Sequence, residues 1–101
     1  MNTYIGHRSE GVLSVTVNGK ELPVRLDLRN HSPDGFECSY GGSGPAQLAL
    51  AILAWELGDE EAQRRYQEFK WAKIATLPWE RSWTITSEDI QRWLALNRSV
   101  L

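Results

Sequence analysis

Apolar positions follow two periods along this chain, and the change from one to the other divides it. Up to about residue 29 they alternate, as in a strand with one buried face. Thr3–Arg8 is a short run with a β-branched and an aromatic residue, which predicts an edge or first strand. Val12–Val17 and Lys20–Arg29 flank Asn18-Gly19, a dipeptide suited to a type I′ hairpin because both central residues need positive φ. That turn sets Val17 opposite Lys20, Val15 opposite Leu22 and Leu13 opposite Val24. Leu26 and Leu28 continue the same face, while Ser14, Thr16, Glu21, Arg25 and Asp27 take the other. Register and binary pattern agree. Pro23 falls opposite Ser14 at a position that donates no bond to this pair, but it blocks a further strand on its outer side and so predicts an edge there.

After a polar turn, Asn30–Gly35, and a short segment, Phe36–Tyr40, that the pattern allows to be extended, the period becomes helical. Residues 45–57 are apolar nearly all round, with four alanines among the larger side chains, so this helix is buried on more than one side. Ser43 or Gly44 is placed to cap it; with Gly44 at the cap, Pro45 takes the first position and Gln47 the third, as in a capping box. Gly58 ends it and Asp59 caps a second helix, Asp59–Leu77, in which Ala62, Tyr66, Phe69 and Ala72 form the inward stripe, widened by Trp71, Ile74 and Ala75. Pro78 stops that helix. A short strand is predicted at Trp83–Ile85, and Ser87 caps a last helix that turns Ile90, Trp93, Leu94 and Leu101 inward.

These elements predict a single α+β domain over residues 1–101: an N-terminal antiparallel meander of about three strands covered by three helices, with the central apolar helix packed on the sheet. A chain of this length supports one core without metal or disulfide staples, and 42% apolar with 24% charged residues is ordinary soluble composition. Net charge is −2, which gives no drive toward nucleic acid or an anionic membrane. Its distribution is uneven: nine acidic and four basic side chains in residues 1–62, against four and seven in residues 63–101. The single cysteine, Cys38, excludes an intrachain disulfide. With no apolar leader or spanning segment in view, elimination leads to the expectation of a cytoplasmic protein.

Candidate chemistry gathers where the period changes. Gly41, Gly42, Ser43 and Gly44 open the apolar helix, and backbone N–H groups at a helix N-terminus suit an anion. Neither the P-loop nor the dinucleotide spacing is present, since Pro-Ala follows Gly44. The same glycines also serve a tight turn that seats the helix on the sheet. The candidate ligand residues are His31, Ser32, Asp34, Tyr40, Gly41, Gly42, Ser43, Gly44, Gln47 and Lys70, receiving an anionic small molecule or a nucleotide.

The block HSPDGFECSYGGSGPAQLALAIL resembles that of a family of small uncharacterised proteins of bacteria, archaea and their phages that carry a domain of unknown function. The likeness extends from Tyr4-Ile5-Gly6 through the Phe69–Trp71 segment to the closing helix. It implies no activity; it implies that the HSPDGF turn and the GGSGPAQ loop act together on one surface.

Two other classes of function remain in play. Trp79 and Trp83 are the aromatics that helix periodicity explains least, and as exposed anchors they would serve a protein-directed inhibitor or adaptor, of the kind phages turn against host defence. A small hydrolase would need Ser43 with His31 as base, but the G-x-S-x-G elbow is missing. No catalytic residue is assigned and no cofactor is expected. His7, His31 and Cys38 lack metal-ligand spacing.

Overall fold

Two tight turns build the sheet. Glu10 and Gly11 have φ 50° and 81°, Asn18 and Gly19 53° and 85°, the positive pairs that type I′ turns require. The first joins β1, Thr3–Ser9, to β2, Val12–Val17; the second joins β2 to β3, Lys20–Glu21. A fourth strand, β4, Trp83–Thr86, pairs antiparallel with β1, and the order across the sheet is β3-β2-β1-β4. The computed structural model describes residues 1–97; Leu101, expected to face inward, lies outside the described residues.

β1 is therefore a central strand rather than an edge, because β4 returns from the far end of the chain to cover it. The third strand is also shorter than its pattern implies. Val17 meets Lys20 as expected, and Leu22 N–H donates to Val15 C=O at 3.1 Å, but the pairing stops there. Arg25, at φ 59°, turns the chain away to grip Asp27 and Asp59 through paired bonds of 2.9–3.0 Å. Leu13 and Val24 do not pair, and Leu26 is exposed instead of continuing the buried face.

Tyr4, Leu13, Val15, Val17, Trp83 and Ile85 turn into the core from the sheet, where they meet helix α1, Ser43–Leu57. Every residue of α1 from Gly44 to Ala54 is buried. Its N-cap is Gly42, ahead of both expected caps, Ser43 and Gly44, and no side chain caps it. Gln47 therefore lies beyond the first turn and forms no capping box. Gly58, at φ 93°, both ends α1 and precedes α2, Asp59–Phe69, so Asp59 is the first helical residue and not the cap. The third helix, α3, Ser87–Asn97, begins with a reciprocal pair: Asp89 N–H donates to Thr86 Oγ1 and Thr86 N–H to Asp89 Oδ2. Thr86, rather than Ser87, plays the capping role.

The second helix departs most from its pattern. At Lys70–Ile74 it widens into one π-helical turn. Phe69 and Ile74 stay buried, five residues apart, while Trp71 and Ala72 face outward. Phe69 packs edge-on against Trp93 of α3, centroids 5.0 Å apart, which fixes α2 to the last helix. π-turns of this kind recur where a helix is bent to a local task.

Candidate functional site

Ser39 sits at φ 79° and ties the chain ahead of α1 to the end of the π turn. Its N–H donates to Ile74 C=O at 3.0 Å and its hydroxyl to Leu77 C=O at 2.6 Å. The next residues are thereby laid along the widened turn. The ring of Trp71 lies directly on the backbone of Gly41, and the ring of Tyr40 on that of Gly42; a Cβ at either glycine would run into the ring. The two glycines serve this contact rather than a positive φ. Tyr40 is 48% exposed and Trp71 61%, so two aromatic faces border the entrance of α1.

Pro45 lacks an N–H, and Ala46 N–H already bonds Gly42 C=O at 3.0 Å. Ser43 and Gly44 are left as the donors of the first turn, with no side-chain cap and no acidic residue within it, while the stem of Glu37, whose carboxylate Arg8 holds, packs on Gly44. The other two helices carry acids there, Asp59, Glu60 and Glu61 in α2 and Glu88 and Asp89 in α3. Lys70 completes the group. It is 7% exposed, its Nζ stands 4.7 Å from the centre of the Trp71 ring, and no carboxylate pairs with it among the described residues. Lysine is almost never buried without a partner. A cation, two aromatic faces and two amide donors can together receive a flat group bearing negative charge.

Tyr40, Gly41, Gly42, Ser43, Gly44 and Lys70 are thus brought together, and Trp71 joins them. His31, Ser32 and Gln47 serve a different purpose. Gln47 is fully buried; its Oε1 accepts from the N–H groups of His31 (2.8 Å) and Ser32 (3.2 Å), and its Nε2 donates to Val24 C=O at 2.7 Å. The amide side chain brackets the 24–32 segment onto α1. The His31 ring shares a 2.8 Å hydrogen bond with the Tyr66 hydroxyl. Asp34 is exposed and borders a separate groove beside Leu13 and Glu37.

Of the two tryptophans expected as exposed anchors, one is buried and one is half exposed. Trp83 is 6% exposed, a correction to that expectation: it stands opposite Gly6 on β1 and its ring fills the space a Cβ would need. Its Nε1–H is buried without a partner among the described residues. Trp79 is half exposed, but its ring is covered by the Arg8 guanidinium at 3.6 Å. Arg8 also donates to both oxygens of Glu37 (2.7 and 3.1 Å), to Trp79 C=O (3.0 Å) and to Gly11 C=O (3.2 Å). The hydrogen bonds to Glu37 raise its already high pKa. One side chain joins β1, the segment before α1 and the chain leading to β4. Cys38 is buried beside it.

A second polar cluster closes the other end of α1. Glu56 Oε1 accepts from Tyr4 Oη (2.6 Å), Asn2 Nδ2 (3.0 Å) and Ser87 Oγ (3.0 Å). Burial pushes the Glu56 carboxyl up, but these bonds and the N-terminal ammonium together outweigh it and hold it below the ordinary range. Burial, reinforced by the same carboxylate, drives the Tyr4 phenol well above its usual value. Among the described residues no group of histidines, cysteines and carboxylates is arranged to hold a metal ion, and no helix is long and apolar enough to cross a membrane.

A family profile covers residues 4–96, nearly all of the elements just described. The chain belongs to DUF6166, a family of unknown function. The match takes in both the glycine entrance of α1 and the π turn that meets it, so the whole cradle lies within the family domain. Among curated proteins none matches the chain. Among solved structures none matches either.

Arg8, Glu56 and Trp71 were the residues whose importance the chain's periodicity concealed. For Trp71 a signal existed: it lies nine residues after Ala62, which at about 100° per residue puts it on the opposite side of the helix.

Proposed function

We propose that this DUF6166 protein binds a small anion carrying a flat ring, such as a nucleotide, at the entrance of α1. The observation that carries the reading is Lys70: its side chain is covered almost to the tip, no carboxylate pairs with it among the described residues, and its Nζ stands over the aromatic ring that lies on Gly41. Packing holds the stem in place and leaves the ammonium without a counterion, which a bound anion would supply. In this reading Tyr40 and Trp71 stack on the flat group, while Lys70 and the N–H groups of Ser43 and Gly44 take the phosphate. No chemical step is involved; the Nε2 of His31, which a hydrolase would need as its base, is engaged by Tyr66. The adaptor reading keeps one of its two anchors, because Trp83 is buried while Trp79 stays half exposed with Arg8 over its ring.

Thermal unfolding against ADP, AMP, a cyclic dinucleotide, adenosine and inorganic phosphate tests this. A ligand at ten times its dissociation constant adds about 1.4 kcal/mol to the native state, which in a domain of this size raises Tm by roughly 6–11 °C. The charged nucleotides should produce that rise, adenosine and phosphate alone much less. Lys70→Met should remove it. No rise with any of them at millimolar concentration would rule the reading out.

A further inference from the structure

The early end of β3 leaves part of β2 without a neighbour. In β2, Val12, Ser14 and Thr16 turn their backbone groups toward β1, where they face Ser9, His7 and Ile5. Leu13, Val15 and Val17 turn theirs the other way. Val17 is paired with Lys20, and Val15 C=O receives Leu22 N–H. The reciprocal bond does not form, and Arg25, at φ 59°, turns the chain away before Val24 can pair with Leu13. The N–H of Val15 and both backbone groups of Leu13 therefore have no partner among the described residues. An unpaired row of this kind accepts an added strand unless something covers it.

The space beside this row is open. A groove of about 190 Å³ lies along it, floored by Leu13, Val15, Leu22 and Phe36. It continues past Gly35 into a second of about 250 Å³ that reaches Val12 and Asp34. The charged side chains lining the two are Glu21, Asp34 and Glu37, all acidic. Arg8 neutralises Glu37, whereas Glu21 and Asp34 have no cationic partner among the described residues. A second copy of the chain would bring like charges together across this edge, which disfavours self-pairing.

We infer that the β2 edge is a docking site for a short extended segment of another protein, with apolar side chains toward Leu13 and Phe36 and basic ones toward Glu21 and Asp34. The segment adds as a strand through about three backbone bonds, and side-chain alternation sets its register. This surface is independent of the α1 entrance, and either can fail without the other.

The test uses the full chain and an acetylated peptide that alternates lysine and valine over seven residues. Amide hydrogen exchange and chemical shifts are followed by NMR. The peptide should slow exchange at Leu13 and Val15, the same peptide with N-methylated valines should not, and Glu21→Lys with Asp34→Lys should weaken binding at least tenfold. Both substitutions are at exposed positions, and an unchanged spectrum of the free variant confirms its fold. Absence of protection at millimolar peptide, equal protection by the N-methylated peptide, or protection at these amides that instead follows dimerisation of the chain would overturn the inference.

Discussion

Removing the Gln47 side chain should undo the attachment of the 24–32 segment to α1 at a cost that the hydrogen bonds themselves set. Gln47→Ala deprives Val24 C=O and the N–H groups of His31 and Ser32 of partners at 2.7, 2.8 and 3.2 Å. A typical bond contributes about 0.5–1.5 kcal/mol net, so three give roughly 3 kcal/mol. That is a large part of the roughly 5–15 kcal/mol expected for a domain of this length, and it corresponds to a fall in Tm of about 12–24 °C. Gln47→Glu separates bonding from shape. The carboxylate still accepts from His31 and Ser32 but faces Val24 C=O with no proton to donate. Burial opposite a carbonyl raises its pKa above the unfolded value of about 4.3. A raised folded pKa means stability that is fully present below the unfolded value and is lost as pH rises through the folded one. The variant should therefore approach wild type near pH 4 and fall behind it toward neutrality. Urea unfolding of the three proteins from pH 4 to pH 8 measures both effects. A loss below about 1 kcal/mol for Gln47→Ala, or a pH-independent deficit for Gln47→Glu, would mean that something other than this amide holds the segment.

Three further outcomes test other parts of the fold. Arg8→Lys keeps the charge but not the fork that meets Glu37, Gly11 and Trp79 at once; losing two or three of its four hydrogen bonds should cost about 2–3 kcal/mol by denaturant unfolding, and a near-neutral effect would remove Arg8 from its structural role. Gly6→Ala drives a methyl into the Trp83 ring and should cost about 1–3 kcal/mol, whereas Trp83→Phe deletes a buried donor that bonds nothing and should cost less; the reverse order in calorimetry would contradict the contact. Glu56 and Asp89, the latter lowered mainly by the Thr86 N–H, have depressed pKa values, so they contribute stability above the unfolded carboxylate range that fades as pH falls through their folded values; Glu56→Gln should flatten the loss of stability below about pH 4, and an unaltered acid limb would show that the carboxylate is not stabilising there.

Local chemistry made the hairpin at Asn18-Gly19 and the buried helix α1 legible, because each depends on neighbours in sequence. Most of the failures depend on distant residues. Nothing near Gly6 announces that Trp83 will lie on it, since β4 reaches β1 from almost eighty residues away. β3 ends early because Arg25 turns toward Asp59, a partner at the start of α2. The π turn moved Ala72 outward and kept Ile74 in the core, and a smooth helical stripe through Asp59–Leu77 had no means of showing it. Half of the candidate site was legible for a similar reason: Tyr40 and Gly41 to Gly44 are consecutive, and Lys70 was singled out between its two aromatic neighbours. Gln47 and His31 looked like ligand groups because polar residues beside a glycine loop commonly are, but the irregular 24–32 segment claimed their hydrogen bonds first.

The central claim is that the amides opening α1 receive the anionic part of a ligand whose flat part lies on Tyr40 and Trp71. It is tested most directly by amide NMR of the ¹⁵N-labelled chain during titration with the nucleotide that raises Tm most. Saturable shifts concentrated at Gly42, Ser43 and Gly44, with matching movement of the Trp71 indole N–H and loss of all of them in Lys70→Met, are the predicted result. Shifts that saturate at other amides while those of Gly42 to Gly44 stay still would contradict it.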